Sequence, residues 1–353
     1  MNFGRYQNID STRFFSTPLK TGVNFHARGA EGQISCARAF HVICEWCDNI
    51  VSRALLPIAL ERMIGITLLG NVPRVSELAA IAHEAGDTIL ALQRGELAAT
   101  AKADGSPVTQ ADLASNETIL RGLAGKFPDV PVLTEERAPD HTATKARHIF
   151  LVDPLDGTRD FLGGHDDYTV NIALLEDGTP VAGVVYAPAL GVVYAGAMGE
   201  GAQRARVANG LIGVWQTIAA VAPAEKLRAV TSRSHPSSKT QEYLEGLVIG
   251  DLTRVGSSLK FCLIAAGEAD VYPRMGQTME WDTAAGDAIL RAAGGTVADM
   301  DGQPLRYNKR NAAGGPDLVN PWFVASGRFN IFDPKWHRGG AVLPANCSPA
   351  RTR

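Results

Sequence analysis

The chain has 353 residues, 45% of them hydrophobic and 20% charged, with a formal net charge of −3. That length suffices for two domains or one large layered unit with a sizeable core, and the lack of a basic excess argues against nucleic acid as the main partner. Five cysteines, an odd and sparse set, fit a reducing cytoplasm better than a disulfide framework.

Residues 1–72 read as an N-terminal extension of uncertain order. Ala54 to Gly70 is the most apolar early stretch, but Pro57 and Glu61-Arg62 interrupt it. It is too short and too broken to span a bilayer, so no stable membrane insertion is expected. No basic segment leading into a clean apolar run opens the chain, so no signal peptide is expected. Cys44-Glu-Trp-Cys47, with Cys36 and His41 nearby, has the spacing of a zinc half-site or a redox pair. Three unrelated thiols explain that spacing more simply. The pattern changes just after Met63, as it would if a start codon were assigned too far upstream.

From Val75 the pattern is clear. Val75, Leu78, Ala79, Ile81, Ala82, Ala85, Ile89 and Leu92 recur at helical spacing and predict an amphipathic helix to about Gly95. A second helix is predicted from Thr109 to about Lys126, with Thr109 as N-cap and Asp112 as the acid of a capping box. Val132 to Thr134 reads as a short strand ending in Glu135-Glu136.

Phe150-Leu-Val-Asp153-Pro-Leu155-Asp156-Gly157-Thr158 is the most informative stretch. Its apolar run predicts a buried strand ending near Asp153, because Pro154 removes a ladder donor. Asp153 and Asp156 then share one tight turn at the strand's end. Two carboxylates so close repel unless a cation lies between them, and hard oxygen donors at that density suit Mg²⁺. Gly157 allows close backbone approach to a ligand, and Thr158 adds a hydroxyl. A turn with two solvated acids is the plainer alternative.

Arg159 to Gly164 reads as a loop. Tyr168 to Leu175, Val181 to Ala187 and Gly191 to Ala197 follow as an antiparallel meander, with a hairpin turn at Glu176-Asp177-Gly178. Residues 73–225 thus form an α+β domain and 226–335 an α/β domain. The second has strands at Leu227 to Thr231, Gly250 to Val255, Val271-Tyr272 and Trp322 to Ser326, and helices from Lys239, Gly256 and Trp281-Asp282. Ser257 and Lys260 at a helix start suit an anion, although a plain N-cap explains the serines as well. Residues after Phe332 look weakly ordered, and 336–353 read as a tail.

Asp112, Glu135-Glu136, Asp153-Pro-Leu-Asp-Gly-Thr158 and Trp281-Asp-Thr-Ala-Ala-Gly286 resemble, in order and spacing, the motifs of the inositol monophosphatase superfamily. Tyr168-Thr-Val-Asn-Ile-Ala-Leu174, Gly183-Val-Val-Tyr-Ala-Pro188, Ser232-Arg-Ser-His235, Gly256-Ser-Ser-Leu-Lys-Phe-Cys262 and Tyr272-Pro-Arg274 look most like its CysQ-type 3′(2′),5′-bisphosphate nucleotidases. The resemblance implies a layered α-β-α-β-α sandwich and a lithium-sensitive, Mg²⁺-dependent phosphatase acting on a small nucleotide bisphosphate. It implies two Mg²⁺ ions and a third, weaker one. Glu135, Asp153 and the Leu155 carbonyl would hold the first; Asp153, Asp156 and Asp282 the second; Asp112 with Glu135 would support the third through water. A metal-bound water would be the nucleophile, oriented by Thr158 through Asp112 or Glu135. Gly157 and Thr158 N–H groups would hold the reacting phosphate. Ser257, Lys260 and Arg274, with His235 close by, would meet the other phosphate and the sugar.

Three features depart from the pattern: Arg159-Asp160 replaces the usual Lys-Glu, Gly163 to Asp167 forms a different loop, and residues 1–72 have no counterpart. Alternatives are a relative acting on inositol monophosphate or fructose 1,6-bisphosphate, and a non-enzymatic metal- and phosphate-binding protein.

Overall fold

The computed structural model describes residues 74–93, 99–101, 107–137 and 146–340. The readings made on Cys36, Cys44 and Cys47, on the extension, and on the tail from 341 lie outside these residues.

The apolar stripe of the first helix, α1 (Val75–Gln93), buries Leu78, Ala79, Ile81, Ala82, Ala85 and Ile89, as its spacing predicts. Short strands β1 (Ala99–Ala101) and β2 (Pro107–Thr109) pair antiparallel. They lead into α2 (Gln110–Lys126), which carries the predicted capping box: Thr109 Oγ1 accepts the Ala111 N–H, and Asp112 Oδ2 accepts the Thr109 N–H at 2.8 Å.

The large sheet follows. It comprises β3 (Val132–Thr134), β4 (His148–Asp156), β5 (Thr169–Glu176), β6 (Thr179–Ala187), β7 (Val192–Ala197), β8 (Gly201–Ala208), β9 (Leu211–Ile212) and β10 (Gln216–Ile218). The order is β10-β8-β7-β6-β5-β4-β3, with β9 against β8; β3 runs parallel to β4 and every other pair is antiparallel. The hairpin between β5 and β6 turns through Asp177 and Gly178, both at positive φ (47° and 72°), the signature of a type I′ turn.

The smaller sheet is built from β11 (Leu227–Ser232), β12 (Ile249–Val255), β13 (Val271–Arg274), β14 (Thr296–Asp299) and β15 (Phe323–Ser326), in the order β12-β11-β13-β15-β14. Short helix α3 (Thr158–Leu162) lies between β4 and β5, α4 (Ser238–Glu245) between β11 and β12, α5 (Leu259–Ala265) between β12 and β13, and α6 (Ala284–Ala292) between β13 and β14.

Strand alternation sorts the core into layers. Phe150, Val152, Ile172 and Leu174 face α1 and α2. Ile149, Leu151, Ala173 and Leu175 face the other way, into a core shared with α5, α6 and the smaller sheet. The far face of that sheet, through Leu227, Val271 and Val324, packs on Tyr243 and Leu244 of α4 and on Trp336. The result is the expected α-β-α-β-α sandwich. Helix α6 lies directly on β6: a Cβ at Gly183 would stand 2.5 Å from the Ala285 carbonyl oxygen and 2.9 Å from Ala288 Cβ.

Three local expectations fail. Strand β4 does not stop at Asp153. It continues to Asp156 across a register shift in which Asp153 opposes Asn171 and Asp156 opposes Thr169. Ser115 Oγ donates to the Pro154 carbonyl at 2.7 Å and fixes this irregularity from α2, so the strand survives its proline as a bulge. Arg159 to Leu162 is helical rather than loop. Beyond Phe332, Trp336 and His337 are buried; the indole fills the apolar space behind the smaller sheet, so the chain stays packed there.

Candidate active site

The bulge in β4 aims two acids to one side. Asp153, 1% exposed, accepts the Leu155 N–H at 3.1 Å. Asp156 accepts from Ser258 Oγ at 2.7 Å and from Asn171 Nδ2 at 3.3 Å. Glu135 follows β3 and is brought alongside by the β3–β4 pairing, with its N–H on the Val152 carbonyl. Asp282 comes from the other side, in the turn before α6, and accepts the Met279 N–H at 2.8 Å. These four acids, Leu155, Gly157 and Thr158 line one cavity of about 650 Å³, together with His235, Ser257, Lys260 and Arg274. Every predicted site residue except Asp112 is therefore on its wall. Asp112 stands behind, where Oδ1 accepts Thr158 Oγ1 at 3.0 Å.

The turn bearing Asp282 is clamped. Glu280, fully buried, accepts the Asn308 and Lys309 N–H groups and pairs with Lys309 Nζ at 2.5 Å. Asn320 Nδ2 donates to the Met279 carbonyl at 2.7 Å. Thr283 occupies the N-cap position of α6, and Asp282, one residue before it, lines the cavity.

Two of the acids are raised by burial and by their neighbours. The Asp153 carboxyl lies well above its usual range, by burial first and then through Glu135, Asp156 and Asp282. Asp282 is raised by burial and by Asp156 and Glu135. Buried anions in that density call for divalent cations, and carboxylate plus carbonyl oxygens are the hard donors that Mg²⁺ takes. Among the described residues, no three His, Cys, Asp or Glu side chains close on a single point; the four acids share the cavity wall without forming a cage.

The opposite wall is cationic. Arg274, 7% exposed, donates to the His235 and Gln277 carbonyls, and its Nε, buried, has no partner. Burial, then Arg274 and Arg159, lower the His235 pKa. Lys260 is more deeply placed than expected. Its ammonium donates to the Val255 and Ser257 carbonyls beneath the turn, and burial lowers its pKa to about 8. It stiffens the turn while lending charge to the cavity. The predicted anion site at the start of α5 is also altered: Ser258 Oγ is spent on Asp156, and Ser257 sits at φ 46°.

With this geometry in view, residues 74–328 match the model of the Inositol monophosphatase family. The chain belongs to that family. Among its relatives, the 3′(2′),5′-bisphosphate nucleotidase CysQ of Escherichia coli (strain K12) is 42% identical over 255 residues, covering 71% of this chain and 99% of that protein. The protein of the same name from Salmonella typhimurium is 43% identical over 252 residues, covering 70% of this chain and 98% of that protein. The crystal structure of CysQ from Bacteroides thetaiotaomicron, a bacterial member of the inositol monophosphatase family, superposes with a TM-score of 0.61 at 36% identity, covering 74% of this chain and all of that one.

Sequence reasoning on this family member missed Asn171, Ser258, Ser115 and Glu280. Asn171 had a signal, one amide inside the apolar run Thr-Val-Asn-Ile-Ala-Leu-Leu of β5. Buried polar groups need partners; Asn171 finds Ser258 Oγ at 2.6 Å and Asp156.

Proposed function

We propose that the chain is a Mg²⁺-dependent phosphatase that cleaves the 3′-phosphate of adenosine 3′,5′-bisphosphate, giving AMP and phosphate. The observation that carries this reading is the division of one cavity into an acidic wall (Glu135, Asp153, Asp156, Asp282) and a cationic wall (Lys260, Arg274), with His235 beside the latter. A substrate with one phosphate to lose and another to anchor suits both walls. The naming of the relatives supports it, and so does the unpartnered Arg274 Nε, a buried donor suited to an anion.

Glu135, Asp153, Asp156, Asp282 and the Leu155 carbonyl would hold two Mg²⁺ ions, with Asp112 and Glu135 supporting a third. When bound, Mg²⁺ supplies Lewis acidity at the phosphoryl oxygens and acidifies water. The chain's own groups do the positioning. Thr158 gives its hydroxyl proton to Asp112, so its Oγ lone pairs face the cavity as an acceptor for a proton of the attacking water. Gly157 and Thr158 N–H groups would orient the phosphoryl oxygens in line with that water. The P–O3′ bond breaks as the water oxygen bonds phosphorus; the water gives up one proton toward Thr158 and Asp112, and solvent supplies one to the 3′-oxygen, which leaves as the ribose hydroxyl, so the protons balance. We place the enzyme in the cytoplasm, on the cysteine usage; no described helix is long and apolar enough to cross a membrane.

The test is phosphate release by the purified chain with Mg²⁺, comparing adenosine 3′,5′-bisphosphate with inositol 1-phosphate at equal concentration. Strong preference for the nucleotide is expected; preference for the inositol ester would overturn the substrate assignment and keep the acid set.

A further inference from the structure

Two buried carboxylates near the cavity face away from its acidic wall. Asp160 is on α3 and Asp167 is in the loop before β5; they are 3% and 7% exposed. Both turn toward the segments that carry the cationic wall. Asp167 Oδ1 accepts from Arg233 Nη1 and Oδ2 from the Gly256 N–H, each at 2.5 Å. Asp160 Oδ1 accepts from Ser234 Oγ. Gly256 is seated so closely that a Cβ there would stand 2.8 Å from the Asp167 carbonyl oxygen and 3.0 Å from Asp160 Oδ2. Arg233 also donates to the Arg254 carbonyl at 3.3 Å, tying its loop to the end of β12.

Two cavity-lining loops are thereby gripped at their bases. Arg233 and Ser234 immediately precede His235, whose carbonyl accepts Arg274 Nη1. Gly256 immediately precedes Ser257, whose carbonyl accepts Lys260 Nζ. The acids of the opposite wall are held by other groups, through Ser115, Asn171, Ser258 and Glu280.

We propose that Asp167, assisted by Asp160, is a positioning residue that sets specificity for the second phosphate. Its carboxylate fastens the 232–235 loop and the 256–260 turn, holding His235 and the Lys260 charge beside Arg274, whose unpartnered Nε is the donor left for an anion. Charge-assisted bonds from a buried carboxylate to an arginine and a backbone N–H are strong and directional, so losing them loosens the anchor first; the acids keep Ser115, Asn171 and Glu280, and the Ser258 bond to Asp156 is the one link they share with the fastened turn. This inference rests on the bisphosphate nucleotidase reading.

The experiment measures KM and kcat of the full chain and its variants on adenosine 3′,5′-bisphosphate and on adenosine 3′-monophosphate, which differ only in the 5′-phosphate. Asp167→Ala is expected to raise KM for the bisphosphate about tenfold, as the loss of a charge-assisted contact does. Its kcat, and its KM for the monophosphate, are expected to move less than about threefold, within the range of an untouched contact. Asp167→Asn keeps an oxygen for the Gly256 N–H and should recover part of the loss. Equal rises in KM on both substrates, a fall in kcat alone, or no change each overturns the inference. If Asp167→Ala does not fold, Asp167→Asn and Arg233→Ala decide: each must lower the bisphosphate preference, and an unchanged preference overturns it. A wild type with no preference for the bisphosphate sinks the nucleotidase reading and this inference with it; a wild type with that preference, retained in all variants, sinks this inference alone.

Discussion

Asp112 does two things with one carboxylate. Oδ2 closes the capping box of α2, and Oδ1 holds Thr158 Oγ1. Thr158→Val removes only the second contact, so kcat should fall about a hundredfold, the range of a lost general-base relay, while the unfolding midpoint barely moves. Asp112→Ala should lose that activity and also about 1 kcal/mol of stability, the worth of a cap; a denaturant titration beside the rate assay separates the two variants. Lys260 gives a second residue-scale prediction. Its folded pKa of about 8 lies below the ordinary lysine value of 10.5, so between those pH values the unfolded chain binds more protons and stability rises with pH. The burden of the buried ammonium is fully present below about pH 8 and relieved above it. Lys260→Met, measured without substrate, should therefore lose ground to the wild type by about 3 kcal/mol between pH 8 and pH 10.5; a pH-independent difference would refute this. The acids themselves were legible because Asp153-Pro-Leu-Asp156 packs ligand chemistry into four consecutive residues. Their supports were not. Ser258 lies 102 residues from Asp156 and Asp167 lies 89 residues from Gly256, and an ordinary serine or aspartate in a loop carries no mark of a partner so far away.

The elements that touch the site are set by two close approaches. At the bulge, Ser115 on α2 caps the Pro154 carbonyl, and Ser115→Ala should cost about 1–3 kcal/mol, because it leaves a buried acceptor unsatisfied. At β6, Gly183 lets α6 lie on the strand. Gly183→Ala forces a methyl against the Ala285 carbonyl and should destabilise by about 1–3 kcal/mol, typical of overpacking. It should also lower activity, since α6 carries the turn of Asp282; unaltered stability would show that the layers can part freely. Helices and central strands were readable because period 3.6 and period 2 are written plainly in α1, β4 and β5. Strands β8, β9 and β10 were not read. Toward the end of the sheet they are only partly buried, and residues such as Arg204, Arg206 and Gln216 break the apolar pattern.

At the scale of the whole molecule, the family match begins at residue 74 and ends at 328, and the described core runs to His337. A chain cut to residues 73–353 should keep its turnover and its unfolding midpoint; loss of either would assign a structural task to the first 72 residues. Chelation should abolish phosphate release and lower the unfolding temperature by several degrees, as a ligand bound only to the folded state predicts, with Mg²⁺ restoring both. Helix α6 lies between the two sheets, packed on β6 from one side and on the smaller sheet's core from the other. Its amides therefore have no local route to solvent. In deuterated buffer they should be among the last to lose their protons, and their exchange should report the global opening of the fold.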